Sequence, residues 1–107
     1  MATYEVTVSR DTVNDAVTTS WNPSPTGNGT IASRYQFESG DIIKFKKNSS
    51  NDGTVTVSPS NGFFTTNGNF NANLSFVSKT VASTQANYTL SYSIFYTTGG
   101  GGGGIDP

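Results

Sequence analysis

Phe37 to Asn48 reads FESGDIIKFKKN, a turn followed by a run of period two. Gly40 and Asp41 close the turn, and Ile43 and Phe45 then alternate with Lys44 and Lys46. Side chains of a strand point to opposite faces in turn, so this spacing puts both apolar residues on one side and the lysines on the other. A helical reading would need an apolar stripe recurring at three and four residues, and here only Ile42 and Phe45 fall at such a spacing. Lys44, Lys46 and Lys47 are accordingly the wet face of a strand, not a basic patch.

The same alternation extends in both directions. Tyr4, Val6 and Val8 share a face in TYEVTVS, and a second strand over AVTTSW ends at Trp21. NPSPTGNG, residues 22–29, is too rich in Pro, Asn and Gly for regular structure. TIASRYQF then aligns Ile31, Ser33, Tyr35 and Phe37, and NSSNDG is a hairpin loop before Val55 and Val57. Pro59 stops that ladder. NGFFTTNG predicts a short strand from Phe63 to Thr66, and NLSFVSKTV predicts burial of Leu74 and Phe76. NYTLSYSIFYTT, residues 87–98, reads as the longest strand, with Tyr88, Leu90, Tyr92, Ile94 and Tyr96 on one face and Phe95 opposite. About eight short strands separated by turn signals predict an all-β fold, an antiparallel β-sandwich of Greek-key or jelly-roll type. The sandwich is expected over residues 1–97, with a glycine-rich C-terminal tail over 98–107.

Composition narrows the chemistry. The chain of 107 residues carries only 12% charged residues and a net charge of −1, against about a quarter charged in ordinary domains. Such a surface has no field to gather phosphates, so no nucleic-acid partner is expected. Seven Phe, five Tyr and one Trp supply the bulk a core requires. There is no cysteine and no histidine, which removes thiolate and imidazole nucleophiles, bases and metal ligands. The oxygen donors Asp11, Asp15, Asp41 and Asp52 do not fall into a calcium-loop spacing, so neither metal nor cofactor is expected. No apolar run reaches the ~18 residues of a membrane span, and the N-terminus lacks the apolar core of a signal peptide. The richness in Thr, Ser, Asn and Gly suits a cell-surface, secreted or virion protein.

Two sets of residues are candidates for a site. Trp21 beside the 22–29 loop and Phe70 in NGNFNAN, flanked by Asn69 and Asn71, have the types a sugar-binding surface uses: flat rings for C–H faces, amides for hydroxyls. The second set is the tail, TTGGGGGGIDP. In an Asp-Pro bond the Asp106 carboxylate can attack its own carbonyl carbon while the Pro107 nitrogen takes up a proton and leaves. The anhydride so formed is open to an amine such as Lys79 or one of Lys44, Lys46 and Lys47, with Asp41 or Glu38 moving protons.

A terminal Asp106-Pro107 on a small all-β chain resembles the DP-EP family of bacterial β-sandwich proteins, although no Glu-Pro pair occurs. The resemblance implies self-cleavage at that bond with a Lys–Asp link. The lead-in FESGDIIKFKKN is also similar to strand starts in cupredoxin-like and jelly-roll domains, but the copper ligands His and Cys are missing. The leading expectation is a non-enzymatic structural or binding module, with the tail as an assembly arm reaching a second copy or another protein. Autoprocessing at Asp106-Pro107 and carbohydrate binding are the alternatives.

Overall fold

The computed structural model describes residues 2–11, 16–27, 35–49, 54–59, 62–82, 88–89, 92–98 and 101–105. Every regular element among them is a strand: β1 (Thr3–Asp11), β2 (Ala16–Asn22), β3 (Gln36–Phe37), β4 (Ile42–Lys47) and β5 (Thr54–Pro59), then β6 (Phe70–Ala72), β7 (Val77–Thr80), β8 (Tyr88–Thr89), β9 (Tyr92–Thr98) and β10 (Gly101–Ile105). The all-β expectation is met. Among the described residues no helix is long and apolar enough to cross a membrane.

Two four-stranded sheets carry the fold, ordered β2-β1-β4-β7 and β10-β9-β5-β6, with β3 and β8 forming a small third sheet. Pairing is antiparallel except between β1 and β4, which run parallel with Tyr4 opposite Ile43 and Val6 opposite Phe45. The alternation seen in the sequence is what stacks the sheets. Val6, Val8, Ile43 and Phe45 of the first sheet and Val55, Val57 and Ala72 of the second form one buried cluster. Lys44 and Lys46 are half-buried on the opposite face of β4.

Phe63 and Phe64 lie in the β5–β6 connection and are both buried. Instead of the expected strand over Phe63–Thr66 there is a single bridge, Phe64 to Val81. Its hydrogen bonds run from Thr65 N–H to the Thr80 carbonyl and from Ala82 N–H to the Phe63 carbonyl, each 2.9 Å. Neighbouring side chains on a strand face opposite ways, so burying both rings requires the chain to leave strand geometry here. Gly62 begins the segment at φ +85°, a left-handed conformation suited to glycine. The rings meet edge-on, Phe63 with Phe37 at 6.2 Å and Phe64 with Phe45 at 6.0 Å, the geometry favoured by ring quadrupoles.

Two further expectations are corrected. Leu74 is 57% and Phe76 40% exposed. The register explains it: Phe45 pairs with Val77 and Ile43 with Lys79, so the core-facing phase of β7 is Val77 and Lys79. A phase taken one residue earlier turns every side chain to the other face. Phe76 is partly covered by Lys46, whose Nζ lies 5.0 Å from the ring centre. The segment 87–98 is also not one strand. Tyr88–Thr89 pairs with β3, and Tyr92–Thr98 pairs with β5 and β10 in a different sheet. Ile31, Ser33, most of NSSNDG and Leu90 lie outside the described residues.

Replacing Phe64 with Ala should cost about 3–5 kcal/mol of folding stability, as for other large-to-small core changes. Leu74→Ala should stay within about 0.5 kcal/mol, as at an exposed site. Urea denaturation of the two variants beside the parent measures both.

Candidate functional site

The turn between β3 and β4 places two carboxylates beside the start of β1. Asp41 N–H donates to the Glu38 carbonyl at 3.1 Å, closing a four-residue turn whose third residue, Gly40, has φ +87°. Those are the marks of a type II turn, which needs a positive φ at that position. The turn is clamped to the continuation of β7 by Gly40 N–H to the Val81 carbonyl at 2.9 Å and Val81 N–H to the Asp41 carbonyl at 2.8 Å.

Asp41 is 3% exposed, the one buried charged residue among those described. Its carboxylate accepts from two backbone amides: Ala2 N–H on Oδ1 at 2.8 Å and Glu38 N–H on Oδ2 at 2.9 Å. A buried charge is tolerated when hydrogen bonds replace its water. Asp41 therefore ties the first strand to the turn.

Above this clamp lies a pocket of about 270 Å³ lined by Ala2, Tyr4, Thr26, Gln36, Phe37, Glu38 and Asp41. Tyr4 and Phe37 form an aromatic wall, their rings edge-on at 5.1 Å. Thr26, Gln36 and Glu38 are exposed at its mouth, and Gln36 N–H donates to the Thr26 carbonyl at 3.0 Å to hold the rim together. No lysine or arginine among the described residues lines it. Burial pushes the Tyr4 hydroxyl pKa above its ordinary 10.0, helped by the charges of Asp41 and then Glu38. The sequence points to Glu38 only as an alternative proton carrier. No sequence pattern marks Tyr4, Thr26 and Gln36 as site residues, because only the folded chain brings their distant positions to the ESGD turn.

The other sequence candidates are scattered. Trp21 is half-buried and packs on Tyr35 at 5.0 Å and Phe37 at 5.8 Å. Its indole N–H is buried without a hydrogen-bond partner among the described residues. Phe70 is half-buried, edge-on to Phe45 at 5.2 Å, with the Lys79 ammonium 4.5 Å from its ring centre. Asn69 and Asn71 are exposed, and the Asn71 amide oxygen accepts from Thr56 Oγ1 at 3.0 Å. Trp21 on β2 and Phe70 on β6 stand at opposite sides of the sandwich, since β10, at the far edge of the second sheet from β6, lies against β2.

Lys79 stands on the core-facing phase of edge strand β7, and Asp41 adjoins it through Val81. Asp106 and Pro107 lie outside the described residues. Ile105 before them is in β10, three strands from β6, roughly 14 Å at the usual strand spacing. The described residues thus do not bring Lys79 close to the residue preceding Asp106. Among them no group of three or more acidic side chains is placed to hold a metal ion. The chain matches no protein-family model, no curated protein and no solved structure.

Asp41→Asn should cost about 1–3 kcal/mol, because the amide nitrogen that replaces one oxygen leaves a backbone N–H facing a donor. Chemical denaturation measures it. Tyr4 gives a pH dependence. Its raised folded-state pKa means its contribution is complete below pH 10.0 and is lost as pH rises through the raised value. Stability should therefore fall on the alkaline side, and Tyr4→Phe should flatten that limb of a urea-midpoint profile.

Proposed function

We propose that this chain is a non-enzymatic β-sandwich binding module whose pocket at the Glu38–Asp41 turn receives the ammonium group of a lysine-like partner. The observation that carries the reading is the lining: two carboxylates and an aromatic wall, with no cation from the described residues among them. An ammonium on an apolar stem satisfies both parts, its charge at the carboxylates and its methylenes along the Tyr4 ring.

Division of labour between the acids supports binding rather than catalysis. Both Asp41 oxygens already accept backbone amides, so Asp41 shapes the site and adds field. Glu38, exposed at the mouth, is the carboxylate positioned to meet a ligand directly. Neither histidine nor cysteine exists in the chain to provide a nucleophile or base. Size points the same way. At about 270 Å³ the pocket is smaller than the roughly 300–1,000 Å³ typical of sites for whole small molecules, so it suits a side chain or head group.

Titration with n-butylammonium, followed by NMR of the Tyr4 ring, should give a saturable shift, and n-butanol, its neutral counterpart, should give none. Acetyl-lysine-methylamide carrying a free side-chain amine should bind at least as well if the natural partner is a peptide. Glu38→Gln should weaken binding by about tenfold or more, as expected for the loss of a hydrogen bond between charged groups. Equal responses to the amine and the alcohol would overturn the reading.

A further inference from the structure

Four of the six consecutive glycines lie in a strand. Gly101–Ile105 forms β10, antiparallel to β9, with Gly101 opposite Thr98, Gly103 opposite Tyr96 and Ile105 opposite Ile94. It is the outermost strand of the second sheet and also lies against β2, the edge of the first. We propose that β10 is an exchangeable strand: the β9 edge of one copy receives Gly101–Ile105 of a second copy in this same register, joining chains through their C-terminal segments.

Three features carry the proposal. First, β10 is poor in side chains. Four of its five residues are glycine, which bring no side chain to pack and lose the most backbone freedom when ordered. A segment with so few side chains to pack is the kind of unit that opens locally while the rest stays folded. Second, opening exposes the β9 edge, a row of backbone donors and acceptors that templates another strand. Third, the chain itself carries a segment that fits this edge. A second copy's Gly101–Ile105, identical in sequence, can take up the same register against β9. Exchange of identical elements forms dimers without new interactions.

Strand exchange at β9 is independent of the pocket. The absence of cysteine allows a direct test. Thr97 and Gly102 are register partners, and directly opposed residues on antiparallel strands have Cβ atoms about 4.5–5.5 Å apart, near the span a disulfide needs. Chains carrying T97C alone and G102C alone are mixed, refolded together and oxidised gently. Exchange predicts a disulfide heterodimer in excess of either homodimer, rising in yield as concentration is raised about tenfold. As a control, G103P and G104P are added to the chain bearing G102C. Proline there removes the one ladder N–H that faces β9 and fixes φ at two consecutive positions, which should abolish the heterodimer. The double variant T97C/G102C reports the resident strand by closing its own internal link. Heterodimer no more abundant than the homodimers overturns the proposal, whether or not that internal link closes.

Discussion

Phe63 and Phe64 are consecutive and both buried, which a strand lying between solvent and core cannot provide, because its neighbouring side chains diverge. Much of the architecture is arranged around that constraint. The segment leaves β5, turns at Gly62, and returns toward β6 with its two rings inside the sandwich. Phe63 meets Phe37, while Phe64 meets Phe45 and Phe70. One ring therefore supports the pocket wall and the other joins the two sheets. The backbone of the same segment bridges Val81, so it also covers part of the edge that the first sheet would otherwise present.

Val81 connects this plug to the pocket. One side of its backbone exchanges hydrogen bonds with Gly40 and Asp41, and the residues flanking it, Thr80 and Ala82, bond to Thr65 and Phe63. The ESGD turn is consequently fixed from below by β7, from the side by Phe37, and from within by the Asp41 carboxylate. A binding group on such a turn moves little, because its position is set by packed strands rather than by a long loop. Lys79 adds a second restraint on β7. A charge on the inward phase of an edge strand resists continuation of the sheet by another chain, and here its ammonium rests on Phe70.

How far the sequence could be read depended on whether a pattern was local. Ile43 with Phe45, Val6 with Val8, and Val55 with Val57 needed only period two, and all are core residues. ESGD was legible as a turn because Gly40 and Asp41 are turn residues by mechanism. The failures came where two local signals competed. In NLSFVSKTV the apolar residues occupy both phases, and the larger pair, Leu74 and Phe76, outweighed the correct pair containing Val77. What decides the phase is the pairing of β7 with Ile43 and Phe45, which no short window contains. Continuous alternation through 87–98 similarly hid the passage from one sheet to another. The pocket could not be found at all from spacing, since Ala2, Tyr4, Thr26, Gln36 and Asp41 meet only through the β1–β4 pairing and the Thr26–Gln36 bridge.

The glycine run is the reverse case: conspicuous in sequence, yet with no pattern to assign it a structure. Glycine is depleted in strands because it contributes no packing and loses much entropy, so composition argues for a tether. What favours a strand is the environment. β9 has β5 on one side and would otherwise have an open edge on the other, while β2 approaches from the facing sheet. A backbone ladder can satisfy that edge without any side chain. The absence of side chains on Gly101–Gly104 removes the packing that an ordinary edge strand has. Its place in the sheet is thus set by the receiving edge more than by the strand itself, and an identical segment from another chain meets that requirement equally well.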